Sequence, residues 1–278
     1  MPDPSPVITV IGSCRVYDPI RAMELEGRAQ LNQQRVFGFV HNTREVLQQL
    51  RLMTGEVPLA KRLRGFLNVP QTWRWLPADE AFVLEDLFAA TDCFIVEISS
   101  IRLLRFKALF LQLNRTRELL VTNEAIERRW WTPLVREGRN EPLAYLLANT
   151  LSQMDPVHRE VMQNLASTEQ TVEEVAKDIG AIRDALPGPA LFVSHFNTDA
   201  EGAPIEQRQT IVKALEQASQ RYGISYFDPT PMVAAVGPRV ALFDMAHYQP
   251  HFVPELGLAL LDRVSQVVGS TKQMRSAS

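Results

Sequence analysis

A cysteine near the start of the chain and an Asp-x-x-His pair near its end are the residues whose types and spacing suit catalysis. Cys14 closes a Gly-Ser-Cys block that follows an apolar run, and Asp244 precedes His247 by three positions. At this spacing a carboxylate can accept the Nδ1–H of an imidazole and leave Nε2 to take a proton from a nucleophile. The thiol lies beside Arg15, which is expected to favour the thiolate and make it a nucleophile near neutral pH.

Cys14 and the Asp-x-x-His pair also have simpler interpretations. Most unpaired cysteines are small buried hydrophobes. Cys93, at the start of an apolar run, fits that description better than Cys14 does. An Asp-x-x-His spacing also arises by chance, and its histidine can simply form hydrogen bonds within its own loop.

Further polar side chains follow the ends of the predicted strands. In an open parallel sheet, ligands bind beyond the carboxyl ends of the strands, where loops and helix N-termini converge. Four of the five histidines fall on this predicted edge, and one of them is His251, which follows closely after His247. The candidates for oxyanion or substrate binding are Ser13, Arg15, His41, Asn42, Ser100, His195 and Asn197.

An alternation of apolar strands and amphipathic helices positions these candidates. It is typical of a three-layer α/β fold with a doubly wound parallel sheet. Residues 7–11 form an almost continuous β-branched run, as expected of a strand buried on both faces. The other predicted strands are residues 36–40, 93–98, 191–193 and 224–227. The helices are predicted to begin at Asp18, near Thr43, at a Ser167–Gln170 capping box, at Pro204 and at Pro254.

Two segments do not fit this alternation. Residues 55–77 have no clean period and are predicted to be a long loop over one edge. Residues 101–165 are too long for one crossover connection. We interpret them as an inserted helical subdomain within a single α/β domain that spans residues 1–278.

The length, composition and charge of the chain limit the kind of protein that it can be. The chain has 278 residues, of which 46% are hydrophobic and 22% are charged, enough for a sizeable core. The net charge of -3 argues against a nucleic-acid partner. No apolar stretch approaches the roughly 20 residues of a membrane-spanning helix. The amino terminus lacks the basic start and apolar run of a signal peptide, so a reducing, cytoplasmic location is expected.

The Gly-Ser-Cys block after the first strand, together with Asp244 and His247 before the last helix, resembles the SGNH/GDSL hydrolase superfamily. The similarity is greater to branches with cysteine in the nucleophile block: the GSCFA-type proteins and the capsular-polysaccharide biosynthesis proteins thought to be acyltransferases. The resemblance implies that Cys14 is the nucleophile and that Asp244 and His247 complete the catalytic set. It also implies oxyanion donors from the nucleophile's own N–H, a glycine after the second strand and an asparagine after the third.

The sequence departs from this family pattern at three places. Ser100 stands where an asparagine donor would follow the third strand, and Asn42 is a substitute for the glycine donor after the second. His251 lies at the family's usual distance from the following glycine, so the base is either His247 or His251. These departures fit a transferase or a degenerate binding protein at least as well as an esterase.

A basic stretch within the insertion bears on the substrate. Residues 101–140 hold nine Lys/Arg against four Glu, with Trp130 and Trp131 among them. Arginines beside aromatic rings suit a phosphate-bearing ligand with a flat base, such as coenzyme A. The alternative is an exposed helical face whose arginines lie over apolar surface. The basic residues are Arg102, Arg105, Lys107, Arg115, Arg117, Arg128, Arg129, Arg136 and Arg139.

The leading hypothesis is an acyl-transfer enzyme, an acyltransferase or esterase, in which Cys14 attacks an acyl ester or thioester. It predicts a small-molecule acyl donor, with coenzyme A or acyl-coenzyme A as a candidate substrate, a carbohydrate-type acceptor and no required cofactor. The second hypothesis is a non-catalytic ligand-binding module with a degenerate site. A metal-dependent hydrolase using His41, His195 and Asp244 ranks last, because the sequence has no tight ligand motif.

Overall fold

A five-stranded parallel sheet forms the centre of the computed structural model, which describes residues 5–57, 59–70, 83–138 and 154–277. The strands are β1 (Val7–Ile11), β2 (Gln30–Leu31), β3 (Cys93–Ile98), β4 (Arg102–Phe106), β5 (Leu109–Leu111), β6 (Leu165–Glu169), β7 (Ala190–Ser194) and β8 (Ser225–Phe227). The central sheet has the order β2-β1-β3-β7-β8, with parallel pairing throughout. This topology confirms the doubly wound α/β fold.

Helices pack on both faces of this sheet, which explains why its inner strands are apolar at consecutive positions. In β3, Phe94 and Val96 belong to one core, whereas Cys93 and Ile95 belong to the other. No helix of the described residues is both long and apolar enough to cross a membrane. The helices are Cys14–Leu25, Thr43–Met53, Leu84–Leu87, Leu113–Leu120, Glu124–Ile126, Thr132–Glu137, Pro156–Asn164, Val172–Ala185, Glu206–Tyr222, Thr230–Val236, Pro238–Ala241 and Val253–Ala277, with a 3-10 helix at Lys61–Leu67 and a π-helix at Glu127–Trp131.

The insertion contains a second sheet, so the prediction that residues 101–165 are helical is only partly right. Strands β4, β5 and β6 pair antiparallel in the order β5-β4-β6. Leu104, Phe106 and Leu111 of this small sheet are buried in the same core as Val46 of the main domain. The insertion therefore shares a core with the main sheet. Its status as a separate subdomain stays a prediction.

The second strand lies earlier in the chain than predicted. The prediction of a strand at residues 36–40 is wrong, because β2 is the short segment Gln30–Leu31. Gly38 has a φ of +59°, which a regular strand does not allow. A Cβ at Gly38 would lie 2.7 Å from the carbonyl oxygen of Asn68, so the chain needs glycine there. Phe37 is buried all the same. The apolar run thus reflects core packing and not strand pairing.

The first helix begins at Cys14 and not at Asp18 as predicted. The Ser13 side chain accepts a hydrogen bond from the backbone N of Arg15 at 3.3 Å and caps the helix there. Cys14 therefore lies in the N-terminal turn of the helix, where backbone N–H groups are free of intrahelical partners. This placement brings the thiol closer to the positive end of the helix than the prediction did.

Three later helix starts are shifted as well. The capping box is formed by Thr171 and Glu174, whereas Ser167, its predicted cap, lies in β6. The other two shifts are small, from Pro204 to Glu206 and from Pro254 to Val253.

The long loop predicted over residues 55–77 is partly helical. The 3-10 helix Lys61–Leu67 lies within it, and Leu63 and Phe66 of this helix are buried in the core. The rest of the predicted loop, from residue 71 onwards, lies outside the described residues, as does Pro58.

Gly12 is predicted to be required where β1 approaches β3. A Cβ at this position would lie 2.6 Å from the Cβ of Glu97. Gly12→Ala is therefore expected to lower the free energy of unfolding by about 1–3 kcal/mol through overpacking, as measured by urea denaturation. Gly269→Ala is the control, because a Cβ there meets open space in the last helix. It should leave stability unchanged or slightly raised. Equal effects of the two substitutions would contradict the role of Gly12.

Candidate active site

A buried ion pair joins the end of β1 to the end of β3. The Glu97 carboxylate accepts hydrogen bonds from Arg15 Nε at 2.6 Å and from the backbone N of Ser13 at 2.7 Å. Glu97 is 1% exposed and Arg15 is 8% exposed. A buried charge is costly without a partner. This contact therefore holds Ser13 and Arg15, and Cys14 between them, in a fixed position relative to the sheet.

Glu97 was not recognised in the sequence as a site residue. It is an acidic side chain within the six-residue strand β3, whose other members are apolar and buried. A carboxylate in such a place has to find a buried hydrogen-bonding partner. A carboxylate within an apolar strand could therefore have indicated that Glu97 has a buried partner. The sequence does not show which residue that partner is.

Asp244 and His247 form the predicted carboxylate–imidazole pair. His247 Nδ1 lies 2.9 Å from both carboxylate oxygens of Asp244. The same carboxylate closes a turn, because it accepts hydrogen bonds from the backbone N of Ala246 at 2.6 Å and of His247 at 2.7 Å. Burial opposes ionisation of Asp244, but these hydrogen bonds hold its pKa below the ordinary value. Since Nδ1 faces the carboxylate, Nε2 is the nitrogen left to exchange a proton.

Two arginines hold the Asp244–His247 turn against the rest of the site. Arg15 Nη1 donates to the carbonyl oxygen of Ala246 at 3.2 Å. Arg208, from the helix after β7, donates to the carbonyl oxygen of Met245. Arg15 thus contacts both the Gly-Ser-Cys block and the turn. Arg208 was not predicted as a site residue. It lies on an amphipathic helix, and the residues around it do not indicate a contact with a distant turn.

His247 lies close to the first helix. Burial raises the pKa of Asp18, one helical turn after Cys14, and the charge of His247 partly lowers it again. Together with the Arg15–Ala246 hydrogen bond, this shows that the turn and the first helix are neighbours. His251 is exposed just before the last helix. Because Asp244 orients His247, the geometry favours His247 as the base.

Burial changes the pKa of the Cys14 thiol more than the neighbouring Arg15 does. The thiol is half-buried, and its pKa is raised, chiefly by burial. Arg15 acts in the opposite direction, whereas Asp18 and Glu97 add to the rise. Arg15 thus favours the thiolate as predicted, but the expected net result, a thiolate near neutral pH, is wrong, and Cys14 needs a base to become a nucleophile. Burial raises the pKa of Cys93 to about 12, which agrees with its interpretation as a buried hydrophobe.

His41 is fully engaged by its neighbours. Its Nε2 accepts a hydrogen bond from the amide nitrogen of Gln112 at 2.9 Å, so its Nδ1 carries the proton and donates to Ser99 Oγ at 3.1 Å. Burial, assisted by the charge of Arg15, lowers the pKa of His41 to about 4. The ring is neutral with both nitrogens in use. The predicted role of His41 in binding substrate stays a prediction, and its ring offers no free nitrogen for it.

Asn42 and Ser100 differ in the donors they leave free. Asn42 Nδ2 donates to Glu45 Oε1 at 2.7 Å and to the carbonyl oxygen of Arg102 at 3.0 Å, while its Oδ1 caps the helix Thr43–Met53. Both side-chain amide hydrogens are used, so the Asn42 side chain has no donor left for an oxyanion, and its predicted role as a donor stays a prediction for the backbone N–H. Ser100 Oγ accepts from the backbone N of Arg102 at 3.0 Å, which leaves its hydroxyl hydrogen to donate.

His195 and Asn197 follow β7, and His195 keeps a ring nitrogen for a ligand. Its Nδ1 donates to the carbonyl oxygen of Phe196 at 3.0 Å, which leaves Nε2 as an acceptor. Burial and two nearby arginines hold the pKa of His195 well below the ordinary value, so the ring is neutral. Asn197 Oδ1 accepts from the backbone N of Ile205 at 2.9 Å. Asn197 therefore shapes its own loop.

A cleft of about 380 Å³ opens beside the Asp244–His247 turn, and Met245 of that turn lines it. Other lining side chains come from the ends of β3 and β7, the small sheet and the helix Glu206–Tyr222. Cys14 and His247 do not line this cleft but lie next to residues that do. The predicted site residues that it brings together are Arg15, His41, Asn42, Ser100 and His195.

The set proposed for a metal-dependent hydrolase does not form a metal site. Among the described residues, no group of three His, Cys, Asp or Glu side chains could hold a metal ion. His41, one of the three residues this hypothesis needs, already uses both ring nitrogens.

The basic stretch of the insertion offers no aromatic platform. Trp130 and Trp131 are 3% and 4% exposed, so the expected stacking of a flat base on their rings is wrong. Coenzyme A as an acyl donor stays a prediction. Arg139 lies outside the described residues. The ion pairs that neutralise part of the stretch are Arg102–Glu169, Lys107–Glu160, Arg115–Glu118, Arg117–Glu127 and Arg128–Glu124.

Residues 6–263 match a family model described as the TviD N-terminal domain. The chain belongs to the TviD N-terminal domain family. One relative is the Vi polysaccharide biosynthesis protein TviD of Salmonella typhi, which is 26% identical over 255 residues. The match covers 88% of this chain and 30% of that protein, so the chain spans less than a third of the relative's length.

Two solved structures are similar to this chain over nearly its whole length, with little sequence in common. An alpha/beta hydrolase enzyme from the metagenome of Lake Arreo, Spain, has a TM-score of 0.42 at 9% identity, covering 94% of this chain and 95% of that chain. A mutant acetyl-xylooligosaccharide esterase from Geobacillus Stearmophilus has a TM-score of 0.37 at 12% identity, covering 95% and 96%.

Breaking the buried ion pair is expected to destabilise the protein strongly. Glu97→Gln leaves Arg15 buried without a counter-ion, which should lower the free energy of unfolding by about 3–5 kcal/mol in urea denaturation. The matched control is Glu173→Gln, which removes the partner of Arg221 in an exposed ion pair. It should leave stability nearly unchanged. Similar small effects of both substitutions would show that the buried pair does not anchor the site.

The raised pKa of Cys14 predicts slow alkylation at neutral pH. A raised pKa means less thiolate at a given pH, so the iodoacetamide rate should climb with pH and reach its midpoint above that of cysteine in a short peptide. Asp18→Asn removes one group that raises this pKa and should move the midpoint down. Peptide mass spectrometry separates Cys14 from buried Cys93, the internal control. A midpoint below that of the peptide would refute the dominance of burial.

Proposed function

We propose that the chain is an acyl-transfer enzyme of the SGNH/GDSL-like type, an acyltransferase or esterase that uses Cys14 as nucleophile on a carbohydrate-related substrate. One observation carries the proposal. Arg15 binds Glu97 beside Cys14 and also binds the turn in which Asp244 orients His247. This arrangement supports the proposal, because Arg15, the residue after Cys14, contacts the turn that carries the imidazole and its carboxylate.

In the proposed reaction, His247 Nε2 takes the thiol proton while the Cys14 sulfur attacks the carbonyl carbon of an acyl ester or thioester. A C–S bond forms, the bond to the leaving group breaks, and the imidazolium gives its proton to the leaving group. An acceptor hydroxyl or water then loses its proton to His247 and attacks the acyl-cysteine. The thiolate leaves and regains a proton from the imidazolium.

Charge that develops during this reaction has specific groups to stabilise it. Asp244 stabilises the imidazolium through Nδ1. The oxyanion would lie at the N-terminus of the first helix, where the Cys14 N–H and the helix dipole are favourable. The Ser13 N–H is committed to Glu97 and is not a donor for this purpose. The Ser100 hydroxyl is the proposed second donor, since the Asn42 amide is in use.

The carbohydrate part of the proposal is supported by family membership. The TviD relative is named for Vi polysaccharide biosynthesis, and acyl transfer to sugar hydroxyls fits a polysaccharide pathway. Both cysteines are free, which suits a reducing, cytoplasmic location. Acyl-coenzyme A is the proposed donor, and no resident cofactor is required for the reaction as written.

A second candidate is a non-catalytic carbohydrate-binding module that keeps the fold without the chemistry. The raised pKa of Cys14 and the engaged side-chain amide of Asn42 favour it. This candidate predicts no turnover and ligand binding that is insensitive to Cys14→Ser. The two proposals therefore differ in whether the wild-type protein shows turnover, so a measurement on the wild type alone separates them.

The decisive experiment measures release of coenzyme A from acetyl-coenzyme A and of p-nitrophenolate from p-nitrophenyl acetate. Wild type should turn over at least one of the two, and Cys14→Ala should fall to background. His247→Gln should lose about 10²–10⁴-fold in rate, because it removes the general base. Asp244→Asn should also lose activity, because it removes the group that holds the imidazole in place.

His251→Gln is the matched control for His247→Gln, since both histidines are exposed and follow Asp244. It should keep wild-type activity. Activity that survives Cys14→Ala, or that depends on His251 and not on His247, would overturn the proposed mechanism. Absence of turnover in the wild type, together with sugar binding, would favour the non-catalytic candidate.

A further inference from the structure

A basic pocket of about 540 Å³ lies beside the 3-10 helix Lys61–Leu67. Its cationic lining side chains are Lys61 and Arg64 of that helix and Arg115 of the helix Leu113–Leu120. No carboxylate side chain of the described residues lines it. The basic pocket shares no residue with the cleft beside the Asp244–His247 turn, so it is a separate place for a ligand.

The positive charge of the basic pocket is only partly neutralised. Lys61 is exposed and forms no ion pair among the described residues. Arg115 pairs with Glu118 through Nη1, while its Nε is buried and has no hydrogen-bond partner in the part of the chain that the structure describes. A buried N–H group without an acceptor is costly, and phosphate oxygens are acceptors that arginine binds well. The basic pocket therefore suits a phosphate-bearing ligand.

A second pocket, of about 340 Å³, lies between the basic pocket and the nucleophile block. We call it the aromatic pocket, because Tyr17 and Phe39 line it together with Val36. The Phe39 side chain is 39% exposed, which leaves its ring accessible to a ligand. Tyr17 lies three residues after Cys14 in the first helix, so the two side chains lie on the same side of that helix. The aromatic pocket therefore reaches to within one helical turn of the thiol.

Asn68 lines both pockets and joins them. It follows the 3-10 helix with a φ of +53°, and its backbone packs closely against Gly38 of the aromatic pocket. Its side-chain amide has no hydrogen-bond partner among the described residues, so it is available to an amide or a phosphate of a ligand. One extended ligand can therefore contact both pockets.

We propose that the basic pocket and the aromatic pocket together bind the acyl donor of the reaction, an acyl thioester of coenzyme A. The donor phosphates would bind Lys61, Arg64 and Arg115. The pantetheine arm would extend past Asn68 and along the aromatic pocket, which brings the thioester to Cys14. This inference rests on the proposed function, because it assigns a site to the donor of that reaction.

This placement leaves the other approach to the thiol open. The donor would reach Cys14 from the side of Tyr17. The cleft beside the Asp244–His247 turn shares no residue with either pocket and would stay accessible while the donor is bound. Donor and acceptor could then occupy different faces of the same nucleophile.

The test is calorimetric binding of coenzyme A and of adenosine 3′,5′-bisphosphate to the Cys14→Ala protein, which has no thiol to react. Coenzyme A should bind more tightly, because it contacts both pockets, whereas the bisphosphate has no pantetheine arm. Binding of both probes should weaken as salt is added, since phosphate–cation contacts are screened.

Lys61→Gln and Arg115→Gln should each weaken the binding of both probes roughly tenfold, because each removes a charge-assisted contact. Arg62→Gln and Arg117→Gln are the matched controls. They lie in the same two helices, but both arginines pair with glutamates and neither lines the basic pocket. Both controls should bind the probes like the parent protein.

Phe39→Ala tests the aromatic pocket separately. It should weaken coenzyme A roughly tenfold through loss of apolar contact with the arm. The bisphosphate should bind as before, because it lacks the arm. Leu25→Ala is the control, since Leu25 is an exposed apolar residue outside both pockets.

Three results would overturn the inference: no binding of coenzyme A, no greater loss in Lys61→Gln and Arg115→Gln than in their controls, or an equal effect of Phe39→Ala on both probes. Cysteine-dependent cleavage of p-nitrophenyl acetate by a wild type that does not bind coenzyme A refutes this inference alone. Coenzyme A binding with the expected variant pattern, in a protein without turnover, refutes only the proposed acyl transfer.

Discussion

The ion pair between Arg15 and Glu97 is the constraint on which the arrangement of the site depends. Glu97 lies at the end of the central strand β3, where its carboxylate cannot reach water, and it binds both Arg15 and the backbone N of Ser13. Gly12 makes this approach possible because it has no side chain facing Glu97. The remaining hydrogen-bonding capacity of Arg15 goes to Ala246 near the other end of the chain. One buried cation thus connects three segments that are far apart in sequence.

The contacts around Arg15 and Glu97 also affect the protonation of the Cys14 thiol. The contacts that fix Cys14 also bury it, and the carboxylates of Asp18 and Glu97 disfavour a second negative charge nearby. The thiol therefore remains protonated until a base removes its proton. An imidazole with a pre-set tautomer is the group suited to that task, and Asp244 holds His247 in that state. Burial of the thiol and placement of the imidazole turn are two results of the same packing.

The inner strands of the central sheet were predictable, whereas its edge and the insertion were not. Strands buried on both faces, such as β1 and β3, leave a continuous apolar run that little else in a chain produces. Residues 36–40 carry a similar run because Phe37 is buried, but Gly38 turns the chain away from the sheet. The small sheet of the insertion escaped prediction because β4 has charged residues at its first and fourth positions and apolar residues elsewhere, without strict alternation.

Local contacts could be inferred from the amino-acid order, because their partners are close in the chain. The Asp244–His247 pair is of this kind, since a three-residue spacing is enough for a carboxylate to reach an imidazole. Long-range packing set the remaining properties of the site: the buried partner of Glu97 and the hydrogen bond from Arg208 to the turn. It also raised the pKa of Cys14, against the expectation from its neighbour in the chain. Burial and charge pairing depend on which segments meet in space, and that information does not reside in any single stretch of sequence.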